Sequence, residues 1–166
     1  KFNHEINIPC ESLKLFISKY TMTKYYQGKY RPKNPIKYKG DPTNIVFRSS
    51  WELKAMKYFD LNENVLKWQS EELAVPYKSP IDGRWHRYFP DFLIEVRTKE
   101  KLIETHMVEV KPYAQTMEPK VKSRKTKRYI TEVKNWGINS YKWKYARSFC
   151  EKRKWKFTLI TEKDLF

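Results

Sequence analysis

The segment 91–111 constrains this chain more than any other. Residues 91–96 and 103–110 carry the two clearest strand patterns, and the polar string Thr98-Lys99-Glu100-Lys101 lies between them. Strands joined by so short a turn pair antiparallel. Opposed residues then sum to a constant and point to the same face. A turn centred on Glu100 sets Asp91 opposite Glu109, since each is nine residues away. Alternation places Glu109 and Lys111 on the face of Asp91, and leaves Phe92, Ile94, Val96, Val108 and Val110 on the other. That apolar face is expected to be the packed one. The hairpin is thus expected to hold two carboxylates and an ammonium together, at the end away from its turn.

Two nearby carboxylates repel, and each raises the pKa of the other unless a cation stands between them. Hard oxygen ligands at a partly open site suit magnesium, which keeps several waters and accepts phosphate oxygens. A lysine beside them can stabilise a developing phosphorane or help deprotonate an attacking water. Together these are the parts of metal-assisted phosphodiester hydrolysis. An ordinary surface ion-pair cluster, with Asp91 and Glu109 both facing Lys111, satisfies the same spacing, and the pattern alone leaves both readings open. Glu52 is similarly double. It lies on the stripe of Ala55, Met56 and Phe59, so a carboxylate there points inward and needs a partner. Yet Ser49-x-x-Glu52 is also a capping box, in which Glu52 bonds its own helix terminus.

The remaining pattern supplies the frame. A helix opens at Ser49-Ser50, and short strands are expected at 65–69 and 73–77. Asp82-Gly83 marks a turn before the aromatic run 85–89. A very basic helix is expected over 122–136, stopped by Gly137. Ser140 then caps a second helix with Trp143, Ala146, Phe149 and Cys150 on one face, and a last strand covers 156–160. The order is helix, three-stranded antiparallel meander, helices, further strand: an α/β fold in one domain over residues 45–166. Residues 22–44 are rich in Lys, Tyr and Pro; Pro32, Pro35 and Pro42 forbid a regular helix, and an extended basic arm is expected. Residues 1–21, with one short helical pattern at 11–17, stand as an N-terminal extension.

Charge narrows the function. Thirty-five Lys and Arg against 19 Asp and Glu give +16, more than solubility asks for. Residues 111–166 hold 16 basic and 5 acidic side chains, a net of +11, against +5 for residues 1–110. Such asymmetry favours a polyanion, of which nucleic acid is the commonest. Lys29, Arg31 and Lys33 in the arm, and Lys122, Arg124, Lys125, Lys127 and Arg128 in the basic run, are candidates for backbone phosphate contact. Gln115, four residues after Lys111, is a further candidate to touch substrate or water, or a plain loop residue. No apolar run approaches the roughly 18–20 residues of a membrane-spanning helix. Lys14 and Lys19 interrupt the apolar patch near the N-terminus, so no secretory signal is expected. Cys10 and Cys150 cannot make a disulfide framework or a four-ligand zinc site, and a reduced, cytosolic setting is expected. His4, His86 and His106 lack zinc-pair spacing, His106 falling on the packed face as a structural residue, and four glycines make no phosphate loop.

Pro90-Asp91 followed by Glu109-Val110-Lys111 resembles the PD-(D/E)xK nuclease signature. The helix start Ser50-Trp51-Glu52-Leu53 and the string Arg87-Tyr88-Phe89-Pro90-Asp91-Phe92 are similar to its TnsA-type endonuclease branch. Gly28-Lys29-Tyr30-Arg31-Pro32-Lys33-Asn34, Tyr38-Lys39-Gly40-Asp41-Pro42, Phe47-Arg48-Ser49-Ser50-Trp51-Glu52, Val75-Pro76-Tyr77 and Glu109-Val110-Lys111-Pro112 most resemble the head completion nucleases of contractile-tailed phages. The likeness covers about residues 25–166. It implies a restriction-endonuclease-like core, with Glu52, Asp91 and Glu109 holding Mg2+ (Mn2+ substituting) and Lys111 as the catalytic lysine. It further implies double-stranded DNA as substrate and a place in phage assembly. Phage head, portal or neck proteins are then neighbours, in the host cytoplasm and at the virion head or neck. Two rivals remain: a non-enzymatic DNA-end or portal-binding protein, and a partner-dependent transposition endonuclease.

Overall fold

A computed structural model describes residues 26–165. The helical pattern at 11–17, His4, Cys10 and the start of the arm lie outside the described residues. The elements run β1 (Gly28–Tyr30), β2 (Ile45–Phe47), α1 (Ser50–Leu61), β3 (Val65–Ser70), β4 (Val75–Lys78), β5 (Trp85–Tyr88), β6 (Phe92–Arg97), β7 (Ile103–Val110), α2 (Lys127–Glu151), β8 (Lys156–Ile160) and the short α3 (Glu162–Leu165). Two 3-10 turns, Pro35–Lys37 and Tyr113–Gln115, punctuate the loops.

The main sheet has the order β3-β6-β7-β8. β6 pairs with β7 antiparallel from Phe92 opposite Val108 to Arg97 opposite Ile103, the register that a turn centred on Glu100 demands. β3 lies antiparallel on the other side of β6, completing the meander. β8 lies parallel to β7, which requires a crossover, and α2 supplies it. The hairpin expected at Asp82-Gly83 forms as β4 and β5, but as a separate two-stranded sheet inserted between β3 and β6. Gly83 takes a φ of 66° in its turn, where a side chain would be strained.

The sheet is packed on both faces, which corrects the one-sided packing read from alternation. Phe92, Ile94, Val108 and Val110 meet Ala55, Met56 and Phe59 of α1 on one face. On the other, Met107 and Leu93 meet Ala146, Cys150 and Phe149 of α2, together with Val75, Tyr77 and Tyr88 of the inserted hairpin. His106 lies buried on the α1 side, its ring bonded to Thr158 and Glu104 at 3.3 and 3.2 Å.

α2 is one continuous helix, not two separated at Gly137. A helical glycine costs only about 1 kcal/mol relative to alanine, less than packing and continuity return. Ser140 caps nothing: its hydroxyl donates to the Trp136 carbonyl at 2.8 Å, one turn back. The helix begins only at Lys127, capped by Thr126, so Lys122, Arg124 and Lys125 lie in the preceding loop rather than on a helix.

The expected arm is extended in conformation but does not hang free. Tyr30 and Tyr38 are buried against Trp68 and Phe59, and the Lys39 N–H donates to the Trp68 carbonyl at 2.8 Å, covering the edge strand β3. The fastening is Asp60, at the end of α1 and fully buried. Its carboxylate accepts the Tyr30 hydroxyl at 2.8 Å and the N–H groups of Lys33 and Asn34 at 2.7 and 2.9 Å. Lys37 Nζ adds bonds to the carbonyls of Asp60 and Asn62, where the helix dipole favours a cation. Hydrogen bonds to charged groups contribute about 1.5–3 kcal/mol each, and the Tyr30 hydroxyl left behind is buried. Asp60→Ala is therefore expected to lower stability by about 3 kcal/mol or more in urea melts, and to open the chain to trypsin after Lys33 in the native state. A melt within about 0.5 kcal/mol of wild type, the range of ordinary surface substitutions, would remove Asp60 as the fastening.

Candidate active site

The register of β6 and β7 brings the acidic residues together as their spacing demands. Asp91 precedes β6 at the open end of the hairpin, and its Oδ2 accepts the Val110 N–H at 2.7 Å, continuing the ladder by a side chain. Glu109, second to last in β7, is only 3% exposed beneath α2 and the inserted hairpin. Lys111 Nζ lies 2.9 Å from Glu109 Oε1 and 3.9 Å from Asp91 Oδ2. The backbone N–H of Lys111 donates to Ile160 at 2.9 Å, which ties the lysine to β8.

Burial sets the electrostatics. Removal from water, then the Glu109 charge, pushes the Asp91 carboxyl up to about 7, against the pull of Lys111 and the Val110 N–H. Burial alone would lower the Lys111 ammonium, but Asp91 and Glu109 outweigh it and hold it above its ordinary value. Glu109 is further held by the Tyr88 hydroxyl, which donates to Oε2. Burial and the Glu109 charge raise the Tyr88 phenol well above its usual range, so it stays a donor.

Glu52 sits at the third position of α1 in a capping arrangement. Ser49 Oγ accepts the Glu52 N–H at 3.1 Å and donates to Glu52 Oε1 at 2.9 Å, and Glu52 Oε2 accepts the Arg48 N–H at 2.8 Å. Its charge nevertheless acts on both Asp91 and Lys111. Among the described residues, no three His, Cys, Asp or Glu side chains converge as a ready metal cluster. The donor set that fits a hard divalent cation is Asp91 with Glu109, two buried carboxylates whose mutual repulsion such a cation relieves. Magnesium is commonly held by one or two carboxylates plus waters.

Two residues at this site escaped sequence reasoning. Tyr88 is one, although alternation along β5 from Tyr88 back to His86 already marked its face. The other is Lys142 of α2, whose Nζ lies 5.5 Å from the Tyr88 ring centre and 5.8 Å from that of Tyr77. Burial, aided by the Lys111 charge, outweighs the pull of Glu109 and Asp91 and holds the Lys142 ammonium below its ordinary value. Its signal was a lysine at helical spacing from Ala146, Phe149 and Cys150, on a stripe otherwise apolar.

The other candidates lie apart. Lys29 is exposed in β1 opposite Val46, which leads into α1, whereas Arg31 and Lys33 are exposed beside the far end of that helix. Lys122, Arg124, Lys125, Lys127 and Arg128 are all exposed around the start of α2, where Lys122 pairs with Glu132 at 3.3 Å. Gln115 is exposed in the second 3-10 turn, its N–H bonded to the Pro112 carbonyl at 2.8 Å.

A pH dependence follows from Asp91. Between about pH 4 and pH 7 the folded protein holds a proton that the unfolded chain has released, so raising pH favours the unfolded chain. The metal-free protein in a chelator is expected to lose stability relative to Asp91→Asn across this window, at a slope approaching about 1.4 kcal/mol per pH unit. Parallel stability curves for the two proteins would show that Asp91 ionises freely in the folded state.

Comparison with known proteins agrees with this geometry. The sequence model of the TnsA-like endonuclease N-terminal domain matches residues 62–162. The chain is also 37% identical over 144 residues to the head completion nuclease of Enterobacteria phage T4, covering 84% of this chain and 93% of that protein. With a sheet-and-helix core of this order, and Asp91, Glu109 and Lys111 gathered at one end of it, the chain belongs to the TnsA-like endonuclease family and carries its restriction-endonuclease-like fold.

Proposed function

We propose that this protein is a magnesium-dependent deoxyribonuclease that processes double-stranded DNA during phage head completion. The observation that carries this reading is the meeting of Asp91 and Glu109 around Lys111 Nζ at a buried strand end. The T4 relative's name supports the stage at which it acts. Asp91 and Glu109 hold the divalent cation, with Glu52 supplying a third carboxylate from the cap of α1. Mn2+ substitutes for Mg2+. The bound ion supplies Lewis acidity to the scissile phosphate and to water. Tyr88 keeps Glu109 oriented through its hydroxyl, and Lys142 adds positive charge above that ring. Lys111 orients or activates the attacking water and offsets charge developing on the phosphorus oxygens. Residues 45–166 act as the nuclease domain, and the segment 22–44 adds Lys29, Arg31 and Lys33 to the DNA grip. Gln115 contacts substrate or water near Lys111. The protein works in the host cytoplasm during assembly, beside head, portal or neck proteins.

Plasmid nicking with and without magnesium tests the chemistry. Asp91→Asn and Glu109→Gln are each expected to abolish nicking while leaving DNA binding largely intact, because a ligand charge is lost at constant shape. Glu52→Gln keeps an acceptor for the Arg48 N–H and turns an amide N–H toward Ser49 Oγ, which accepts it, so melting should hold while activity falls. Near wild-type nicking by Asp91→Asn and Glu109→Gln would remove the site. Nicking only when a transposase partner is added would favour the transposition class, and no nicking under any condition would favour a structural DNA-end protein.

The basic residues at the start of α2 make a separate prediction. Each phosphate contact adds roughly 0.9 to the slope of log affinity against log salt on duplex DNA. Lys125→Ala with Arg128→Ala is expected to lower that slope by about 1–2 and to weaken all duplexes alike, whatever their sequence. An unchanged slope would assign the grip to the segment containing Lys29, Arg31 and Lys33.

A further inference from the structure

The inserted hairpin supports the site with its inner face, through Tyr88 and Glu109, and leaves its outer face exposed. β4 and β5 pair with Val75 opposite Tyr88 and Tyr77 opposite His86 on one face, Pro76 opposite Arg87 and Lys78 opposite Trp85 on the other. Val75, Tyr77 and Tyr88 turn inward against α2. The outward set is Lys78, Trp85 and Arg87, and alternation adds Phe89 just beyond the strand. Trp85 is 65% exposed and Phe89 44%.

Contiguous exposed apolar patches mark interaction sites, and Trp85 and Phe89 lie on one face with Arg87 between them. The Trp85 ring meets the edge of Tyr145 from α2 at 5.5 Å between centres, nearly perpendicular at 84°, so it is propped rather than loose. The Arg87 guanidinium lies 5.9 Å from the Phe89 ring centre. The carboxylate in the connecting turn, Asp82, is engaged by the Arg84 N–H at 3.1 Å and by His86 at 2.8 Å, so the outward set itself is cationic and aromatic. The strand that carries Trp85 is also the one whose Tyr88 grips Glu109. At about 3.3 Å per residue, Trp85 stands roughly 10 Å along the strand from Tyr88.

We infer that this outer face is a stacking platform for unpaired bases of the DNA substrate, next to the scissile phosphate. Bases inside a duplex already cover each other's faces, so an exposed indole flanked by guanidinium and ammonium groups selects a single-stranded overhang or a frayed end. A protein partner fits less well, because the face continues directly into the strand that supports Glu109 and carries cations suited to phosphate. The inference rests on the nuclease reading of the site and deepens it. It makes the preferred substrate a DNA end with unpaired nucleotides rather than an uninterrupted duplex.

Binding in a chelator tests this without cleavage. Fluorescence anisotropy compares a labelled oligothymidylate, a duplex with a single-stranded overhang and a blunt duplex at one salt concentration. The wild type is expected to prefer the first two over the blunt duplex. Trp85→Ala and Phe89→Ala should each weaken binding to the first two by about 5- to 100-fold, the range of one lost base stack. The blunt duplex should change by less than about twofold, and Trp85→Phe should retain most of the affinity, since stacking survives in the smaller ring. Equal weakening on all three DNAs would reduce the face to a backbone contact and overturn the inference. Unchanged binding to all three would overturn it too, and would leave the face to a protein partner. A protein that nicks plasmid but lacks the overhang preference loses only the platform. One that keeps the preference but never nicks loses only the nuclease reading.

Discussion

The pairing of β6 with β7 is the constraint on which the rest of the molecule depends. One residue of slip would exchange the faces of one strand relative to the other. With Phe92 and Ile94 still against α1, Val108 and Val110 would turn away from it, and Glu109 would turn into the apolar layer against Phe59. The same register sets Asp91 level with Glu109, so a correct core and a correct site are one event. Asp91 lies outside the strand, where its carboxylate accepts the Val110 N–H and its carbonyl accepts the Glu71 N–H at 3.3 Å.

Burial gives that geometry its chemical character. On an open hairpin, Asp91, Glu109 and Lys111 would be a surface ion cluster contributing about a kcal/mol or less. Here α2 and the inserted hairpin cover Glu109, and Asp91 loses the solvation that would let it ionise freely beside the Glu109 charge. Lys111, Tyr88 and the Val110 N–H compensate in part. What remains is a buried pair of acids short of positive charge, a state that a divalent cation relieves. The choice between ion cluster and metal site turns on what packs above the strand, and a register argument contains nothing about that.

This explains which features were legible from the residues. Alternation, turn and capping chemistry are local, so the centre at Glu100, the Asp82-Gly83 hairpin and the Ser49–Glu52 cap could all be read directly. Features decided by tertiary competition were not. Gly137 looks like a stop signal, but its penalty is small beside that of ending a helix whose later turns bury Trp143, Ala146 and Cys150. The prolines of the arm forbid a helix, yet they say nothing of Asp60, which lies on another element and collects three donors from the arm. Tyr88 and Lys142 were missed for a related reason. Each belongs by pattern to a packed face, and only the approach of α2 to β5 turns those positions toward Glu109.

The long crossover helix then links chemistry to substrate. At 1.5 Å per residue its 25 residues span about 37 Å, more than the sheet needs covered. The later turns pack on Met107 and carry Lys142 and Tyr145 against the inserted hairpin. The first turns carry Lys127 and Arg128 in water, beside a helix N-terminus that contains no acidic residue in its first turn. Cations at that end oppose the helix dipole, an arrangement unfavourable in the isolated protein. A phosphate laid there would meet both the cations and the helix N-terminus, as the proposed DNA grip requires. One rigid rod joins these cations to the wall above Glu109. The basic half of the sequence is thereby tied mechanically to the acidic pair.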